Sequence, residues 1–428
     1  MENDYSKIAY LSEKYDKVQT IMQFVNVDAL YKEHKRQKSK KAPGIDGITK
    51  ETYGQNLKAN VNDLVARMRR FSYKPQAVRR TYIPKGKNDK RPLGIPCYED
   101  KLVQGVMRNV LDVVYESKFM NFSYGFRRGR NCHKAISSVN QIIMTKKVNF
   151  IVDADIKGFF NNVSHEWLIK FLEHDIGDKN FLRYIKRFLR SGIMEEMQYY
   201  ESDKGTPQGG LISPVLANIY LHYVLDIWFE HGIKKHFKGE VEIVRYADDF
   251  VCFFQYENEA KAFLELLKER LSKFSLEVAE DKTKLIRFGR FAKQHSKDGR
   301  TEGFDFLGFT HYNGETRKGR YRVIHRTSKK KLKQKKSAVK SWLKENMHGR
   351  PSDTIKLLNR KIVGHYAYYG ISGNYDGLLK FYRYIIIQFY KTLIRRSQKK
   401  WLTFKRYLKL LEKFPIKKPK LYVDIWDM

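Results

Sequence analysis

Apolar positions at Ile8, Leu11, Val18, Ile21 and Val25 recur at helical spacing and predict helix over residues 1–33. A basic run at 35–41 leads into Ala42-Pro43-Gly44-Ile45-Asp46-Gly47, where one proline and two glycines predict a loop. Amphipathic helix is expected over 49–71, paired short strands over 78–96 with a Gly/Asn/Asp turn at 85–90, and helix over 99–119. Further along, an apolar strand at 149–155 ends in acid, and helical stretches follow at 164–192 and 211–231. A strand pair is predicted over 242–255 and a helix over 257–274. Past Thr310 the periodicity soon turns helical again, broken at Gly349-Arg350-Pro351 and between Gly370 and Gly373. Strands and helices mix without strict alternation, so the predicted class is α+β with a trailing helical module.

A chain of 428 residues is too long for one small core, and two or three packed units are expected. Its 42% hydrophobic and 14% aromatic content excludes wholesale disorder. Charge changes the picture most. Against 47 acids stand 84 Lys and Arg, a net +37, and a compact chain with that surplus points to a polyanionic partner, nucleic acid first. Residues 311–428 hold 31 basic and 7 acidic side chains, a surplus of 24, which leaves +13 for the first 310. That asymmetry predicts a C-terminal binding module attached to something else. Cys97, Cys132 and Cys252 form no CxxC pair, which excludes a zinc ribbon, a disulfide scaffold and the usual redox motif. No signal pattern opens the chain and no apolar run approaches ~18 residues, so no membrane partner and a cytosolic, reducing location are expected.

The candidate chemistry is acidic. In Ile243-Val244-Arg245-Tyr246-Ala247-Asp248-Asp249-Phe250-Val251-Cys252-Phe253-Phe254, two β-type stretches flank an acidic pair, predicting a hairpin with both aspartates at its tip. Carboxylates so close at the edge of a core are costly unless a cation lies between them, although an Asp-rich turn alone is common. A second acidic strand, Phe150-Ile151-Val152-Asp153-Ala154-Asp155, places Asp153 and Asp155 on one face. With this strand beside the hairpin, Asp155 and Asp248 would converge on two divalent ions, and hard oxygen ligands suit Mg²⁺.

Tyr246-Ala247-Asp248-Asp249 resembles the YxDD box of reverse transcriptases, and Asp155 followed by Phe160 resembles their first catalytic motif. Between them, the run Gly205-Thr206-Pro207-Gln208-Gly209-Gly210-Leu211-Ile212-Ser213-Pro214 is similar to the motif of group II intron-encoded and related bacterial enzymes. Arg91-Pro92-Leu93-Gly94-Ile95-Pro96 and Ser123-Tyr124-Gly125-Phe126-Arg127 resemble fingers motifs, and residues 42–47 resemble the N-terminal extension of the group II intron and non-LTR enzymes. Phe304-Asp305-Phe306-Leu307-Gly308-Phe309 resembles the primer-grip turn, residues 279–284 the lysine-bearing motif, and Leu358-Asn359-Arg360 through Tyr369 the maturase or X domain. One departure is Asn161, where an acid often follows the aromatic pair.

The resemblance implies a right-hand polymerase: N-terminal extension and fingers over 1–78, fingers over 79–150, palm with finger insertions over 151–312, thumb/maturase over 313–400 and a basic tail over 401–428. It implies Asp155, Asp248 and Asp249 as catalytic metal-site acids, with the Ile156 carbonyl as a further oxygen and Asp153 in support. Lys85 and Arg91 would clamp the triphosphate, Phe160 would lie under the incoming sugar, Gln208 and Gly209 would meet the template–nucleotide pair, and Lys282 would protonate pyrophosphate. Pro43, Gly44, Asp46, Arg127, Phe306, Leu307, Gly308, Lys330, Lys331 and Lys335 would contact template or primer. The expected cofactor is a pair of Mg²⁺ ions, with Mn²⁺ as substitute; the expected partners are an RNA template, its primer duplex, intron RNA, a DNA target and dNTPs. Residues 326–344 carry nine basic side chains and no acid, and Leu332, Val339, Trp342 and Leu343 share one helical face, which predicts an apolar side against the body and a lysine side for phosphates. No His/Asn or Cys-pair cluster follows, so no HNH nuclease is expected in this stretch. The function implied is a bacterial, endonuclease-lacking group II intron reverse transcriptase that also assists splicing, cytoplasmic and nucleoid-associated. The alternatives are a domesticated relative in phage defence or a CRISPR locus, and a splicing maturase whose polymerase activity is incidental.

Overall fold

The computed structural model describes residues 2–84, 90–195, 198–201, 203–206, 209–294, 301–396 and 402–426. Among the described residues the strands form three sheets. The first is ordered β2 (Lys90–Ile95), β1 (Val78–Pro84), β4 (Ile193–Glu195), β5 (Gln198–Tyr200). The β1–β4 pair is parallel, so stretches more than a hundred residues apart build one sheet. The second, antiparallel, is ordered β6 (Val241–Tyr246), β7 (Asp249–Phe254), β3 (Phe150–Asp155), β8 (Lys284–Arg287). The third is the meander β11 (Tyr321–Thr327), β10 (Phe309–Glu315), β9 (Phe304–Phe306).

Helix Tyr98–Glu116 carries apolar side chains round most of its circumference and runs through the main core; Leu102, Val103, Val106, Met107, Val110 and Leu111 are all wholly enclosed. Each such side chain contributes about 1.5–3 kcal/mol relative to exposure. Helix Cys132–Thr145 closes a second cluster between the β3/β7 sheet and the β9–β11 meander. Helices Lys329–Glu345, Pro351–Tyr369 and Tyr375–Ile394 form a third cluster, and Leu402, Tyr407, Ile416 and Ile425 belong to it. The 402–426 segment is thus packed rather than trailing: Ser137 Oγ donates to the Ile425 carbonyl at 2.8 Å. No helix among the described residues is long and apolar enough to cross a membrane.

Several predicted elements break where a tertiary partner takes the backbone bonds. The helix expected over 1–33 is Glu2–Lys14, a 3₁₀ turn Ile21–Phe24 and a helix Val27–Arg36. Between the first two, Val18 pairs with Ile176, and Thr20 is left-handed at φ 54°. The helix expected over 49–71 divides at Asn56 into Lys50–Gln55 and Leu57–Arg69. The stretch 164–192 divides into His165–Asp175 and Lys179–Leu189, because Asp178 caps the second helix by accepting from the Asn180 and Phe181 N–H groups. After Ser213–Leu221 the chain continues through π-helical turns to His236. Past Thr310 the chain first forms the β10–β11 hairpin, Phe309 to Thr327 in seven-residue register, which the periodicity did not predict, and the helices begin at Lys329. Its inward positions include His311 and His325, polar types that hide the alternation, and both are fully buried.

Candidate active site

The antiparallel register of β3 and β7 sets Asp155 directly opposite Asp249. Period two puts Asp153 on the same face as Asp155, and Asp248 stands in the turn that joins β6 to β7. Four half-buried carboxylates therefore crowd one end of the sheet. Burial first, then Asp153, Asp248 and Asp155, pushes the Asp249 carboxyl up to about 7. Asp153 is likewise pushed up to about 7, by burial and then by Asp305, with Lys284 opposing. Asp248 is raised by burial and by Asp155, with Arg91 and Arg245 acting the other way. The electrostatics of the site call for positive charge, and Asp155 already holds one: Lys282 Nζ donates to its Oδ2 at 2.6 Å.

A buried network, invisible in the motif reading, holds the hairpin tip. Arg245 is fully enclosed, and its Nε donates to Asp226 Oδ1 at 2.7 Å while Nη2 donates to Oδ2 of the same carboxylate. Its Nη1 reaches Asn218 Oδ1 at 3.1 Å and the Ala247 carbonyl at 3.0 Å. Asn218 in turn donates to the Gly125 carbonyl at 2.6 Å. Ala247, a non-glycine residue at φ 59°, is thereby kept left-handed, and this bend presents Asp248. The strap 122–125 completes the clamp. Tyr124 N–H donates to the Arg245 carbonyl, Arg245 N–H donates to Phe122, and a Cβ on Gly125 would meet the Ala247 nitrogen at 2.3 Å. An arginine inside the apolar strand VEIVRY was the available signal for this network.

Around the acids, the residues expected at the nucleotide fall as follows. Arg91 is exposed on β2, and its charge reaches Asp248. Phe160 is half-buried, edge-on to Phe159 with centroids 5.3 Å apart, and its carbonyl accepts from Thr206 N–H at 2.8 Å. Gly209, at φ 117°, lies so close to β2 that a Cβ would meet the Gly94 carbonyl at 2.4 Å. Ile156 is buried and bridged to Val278. Lys85 and Gln208 lie outside the described residues.

Of the residues expected at the primer, Leu307 at φ 49° and Gly308 at φ 80° turn the chain between β9 and β10. The Leu307 N–H bonds to the Asp249 carboxylate, which links this turn to the acids. Phe306 is buried beneath it, and Tyr368 Oη donates to the Leu307 carbonyl at 2.8 Å. From Asp249 and Gly308 a cavity of about 1020 Å³ runs between the helices, lined by Lys331, Lys335, Trp342, Arg360 and Tyr368 among others. Lys330 is exposed on the same helix but does not line this cavity.

Two expected contacts are turned inward. Arg127 is buried and spends its donors on Glu116 and on the Met120 and Ser123 carbonyls, so it braces the strap 122–125 rather than facing a template. In the 42–47 loop, Pro43 accepts from Arg79 at 2.8 Å, Asp46 accepts from Ile48 N–H, and a Cβ on Gly44 would meet the Cys97 backbone at 2.6 Å. Only Ile45 and Gly47 of residues 43–47 are exposed.

Among the described residues no three His, Cys, Asp or Glu side chains are gathered tightly enough to cage an ion by themselves. A Mg²⁺ site needs less, since one or two carboxylates suffice when waters and substrate phosphates supply the rest. The repelling carboxylates and the lysine already drawn onto Asp155 fit such a cation.

The profile of the family described as reverse transcriptase (RNA-dependent DNA polymerase) matches residues 83–311. Group II intron-encoded protein LtrA of Lactococcus lactis is 32% identical over 276 residues, covering 62% of this chain and 46% of that protein. The chain thus spans about half the length of that relative. Protein YkfC of Escherichia coli is 30% identical over 315 residues, covering 66% of this chain and 79% of YkfC. Telomerase from Candida albicans superimposes at a TM-score of 0.45 with 13% identity, over 85% of this chain and 68% of that one. Motif order, the opposed aspartates and the family profile over residues 83–311 lead to one conclusion: the chain belongs to the reverse transcriptase family.

Proposed function

We propose that this chain is an RNA-directed DNA polymerase of a group II intron that also assists splicing of the intron RNA. The observation that carries this reading is the register that opposes Asp155 to Asp249 with Asp248 at the adjoining tip. In it, 1–150 serve as extension and fingers, 151–312 as palm, and the rest as thumb and maturase surface. Asp155, Asp248 and the Ile156 carbonyl would hold two Mg²⁺, with Asp249 and Asp153 in support; the ions supply activation of a primer 3′-hydroxyl and stabilisation of the leaving oxygen. Arg91 receives the triphosphate as a bidentate fork. Lys282, raised in pKa by its bond to Asp155, stays protonated and is placed to give its proton to departing pyrophosphate. Phe160 lies under the sugar, where its ring selects against a 2′-hydroxyl. Lys331 and Lys335 follow the primer duplex through its phosphates and A-form shape.

The test separates polymerisation from splicing. Asp248→Ala/Asp249→Ala should lose cDNA synthesis by on the order of 10³-fold or more, while RNA binding and splicing assistance persist. Unchanged cDNA synthesis would overturn the assignment of the site.

A further inference from the structure

Helix Lys179–Leu189 departs from the way its half of the chain handles charge. Phe181, Leu182, Ile185, Phe188 and Leu189 are buried, which forces Lys179, Arg183, Lys186, Arg187 and the following Arg190 to the outer side, and residues 179–190 contain no acid. Helix Glu257–Lys273 shows the contrasting habit: Lys261 pairs with Glu257 at 2.9 Å, and Lys268 with both Glu265 and Glu280 at 3.3 Å. In the first helix Lys186 meets Glu173 at 2.8 Å, but among the described residues Lys74, Lys179, Arg183 and Arg190 have no carboxylate within 4.0 Å. Like charges one helical turn apart repel one another, so such a face is stabilised by a bound anion.

The face is also shaped. These cations, Lys74 and Tyr199 line an open groove of about 780 Å³ that has no acid in its wall and shares no lining residue with the cavity beside Asp249. Two of its arginines are pre-positioned: Arg183 lies 4.1 Å over the Phe71 ring, and Arg187 Nη1 donates to the Tyr73 carbonyl. The adjoining cavity shares Lys186, Arg190 and Tyr199 with the groove and adds Glu166, Glu173, Glu201 and Asp203 beside Lys170, so the wholly positive track stops on that side. From Lys179 to Arg190 the cations span about 16 Å, the axial length of roughly five phosphates of one strand.

We propose that this groove is a second nucleic-acid site, outside the catalytic cleft, which grips the phosphodiester backbone of RNA. It deepens the polymerase–maturase reading, on which the choice of RNA rests, by adding an RNA-holding surface at residues 179–190 to the basic stretch past residue 311. Arginine forks match phosphate oxygens, lysines act as point charges, and the exposed Tyr199 ring offers one unpaired base a stacking platform.

The experiment uses the full chain with its cleft filled by a dideoxy-terminated template–primer and the next dNTP, and then adds a short fluorescent single-stranded RNA. Wild type should bind the added RNA. Lys179→Ser/Arg183→Ser/Arg190→Ser should bind it about 10-fold or more weakly, with the log–log salt slope flattened by about 2, at ~0.7 per lost contact. Extension of a short template–primer, read on free enzyme, should stay at the wild-type rate and reports separately on the polymerase reading. The proposal fails if the filled wild-type complex binds no further RNA, or if the variant binds it as wild type does. It also fails if the variant loses affinity only for phosphatidylserine vesicles. Arg190→Glu and Lys179→Glu, each made alone, give the same readout should the triple variant not fold.

Discussion

Arg245 in the β6–β7 hairpin and Lys335 on helix Lys329–Glu345 are both cations of a strongly basic chain, yet one is wholly enclosed and the other stands in solvent. Arg245 meets a buried carboxylate, an amide and a carbonyl, all within 3.1 Å, and its charge serves to fix a hairpin tip. Lys335 lies on a helix with cations at 329, 330, 331, 333, 336 and 340, and it lines a cavity that begins at Asp249. At the hairpin tip the charge is buried and over-determined, while on helix Lys329–Glu345 it is repeated, exposed and interchangeable. Chemistry needs carboxylates held against their mutual repulsion to within fractions of an ångström. Backbone recognition needs only a density of positive charge.

Breaking the palm side should cost most. Arg245→Met leaves Asp226 buried without its partner and should lower stability by about 3–5 kcal/mol in urea titration, with polymerase activity lost alongside. Adding Asp226→Leu to that variant removes the stranded charge and should restore much of the stability, while activity stays low because the tip remains unclamped. Should the single variant unfold no sooner than wild type, the contrast with the thumb collapses.

Gly125→Ala tests the clamp by volume rather than charge. Its Cβ would stand 2.3 Å from the Ala247 nitrogen, so the tip must shift, at about 1–3 kcal/mol of stability and roughly 10²-fold in kcat. A fall in KM-dependent terms alone would place the damage elsewhere.

The hairpin His pair gives a pH test at the junction of the two regions. His311 Nδ1 and His325 Nδ1 lie 2.7 Å apart, so the pair holds one proton between them, and His325 Nε2 is 3.1 Å from Asn140 Oδ1. Burial lowers His311 to about 3, and burial with His311 and Arg322 lowers His325. Because both folded values lie below the unfolded one near 6.5, the unfolded chain takes up protons first. Their contribution is complete above about pH 6.5 and declines as pH falls below it, by up to about 1.4 kcal/mol per unit for each group. Thermal melts of wild type against His325→Gln, between pH 7 and 5, should converge toward the acid end.

The smallest effect on stability is expected in the thumb. Lys330→Ser/Lys331→Ser/Lys335→Ser should change it by less than about 0.5 kcal/mol. The same variant should raise KM for template–primer and flatten its salt slope by about 0.9 per lost contact, with kcat at saturation unchanged. A loss of kcat instead would give these lysines a palm-like role.

Motif order, the position of Asp155, Asp248 and Asp249 at strand ends, the strand pair around them and the basic surplus past residue 311 were all legible in the chain alone. They rest on local signals: period-two alternation, turn residues, and charge counted along a helix face. What only the tertiary structure decided is which distant residues meet. It set Asp155 opposite Asp249, put Lys282 on Asp155, joined Asp226, Asn218 and Gly125 to Arg245, and turned Arg127 inward. It also made strands of 309–327, where buried histidines disguise the alternation, and broke the first predicted helix at Val18 to pair it with Ile176. Periodicity reports which face a residue shares with its near neighbours. Which buried polar group will be satisfied, and by whom, depends on contacts between residues that the chain keeps far apart.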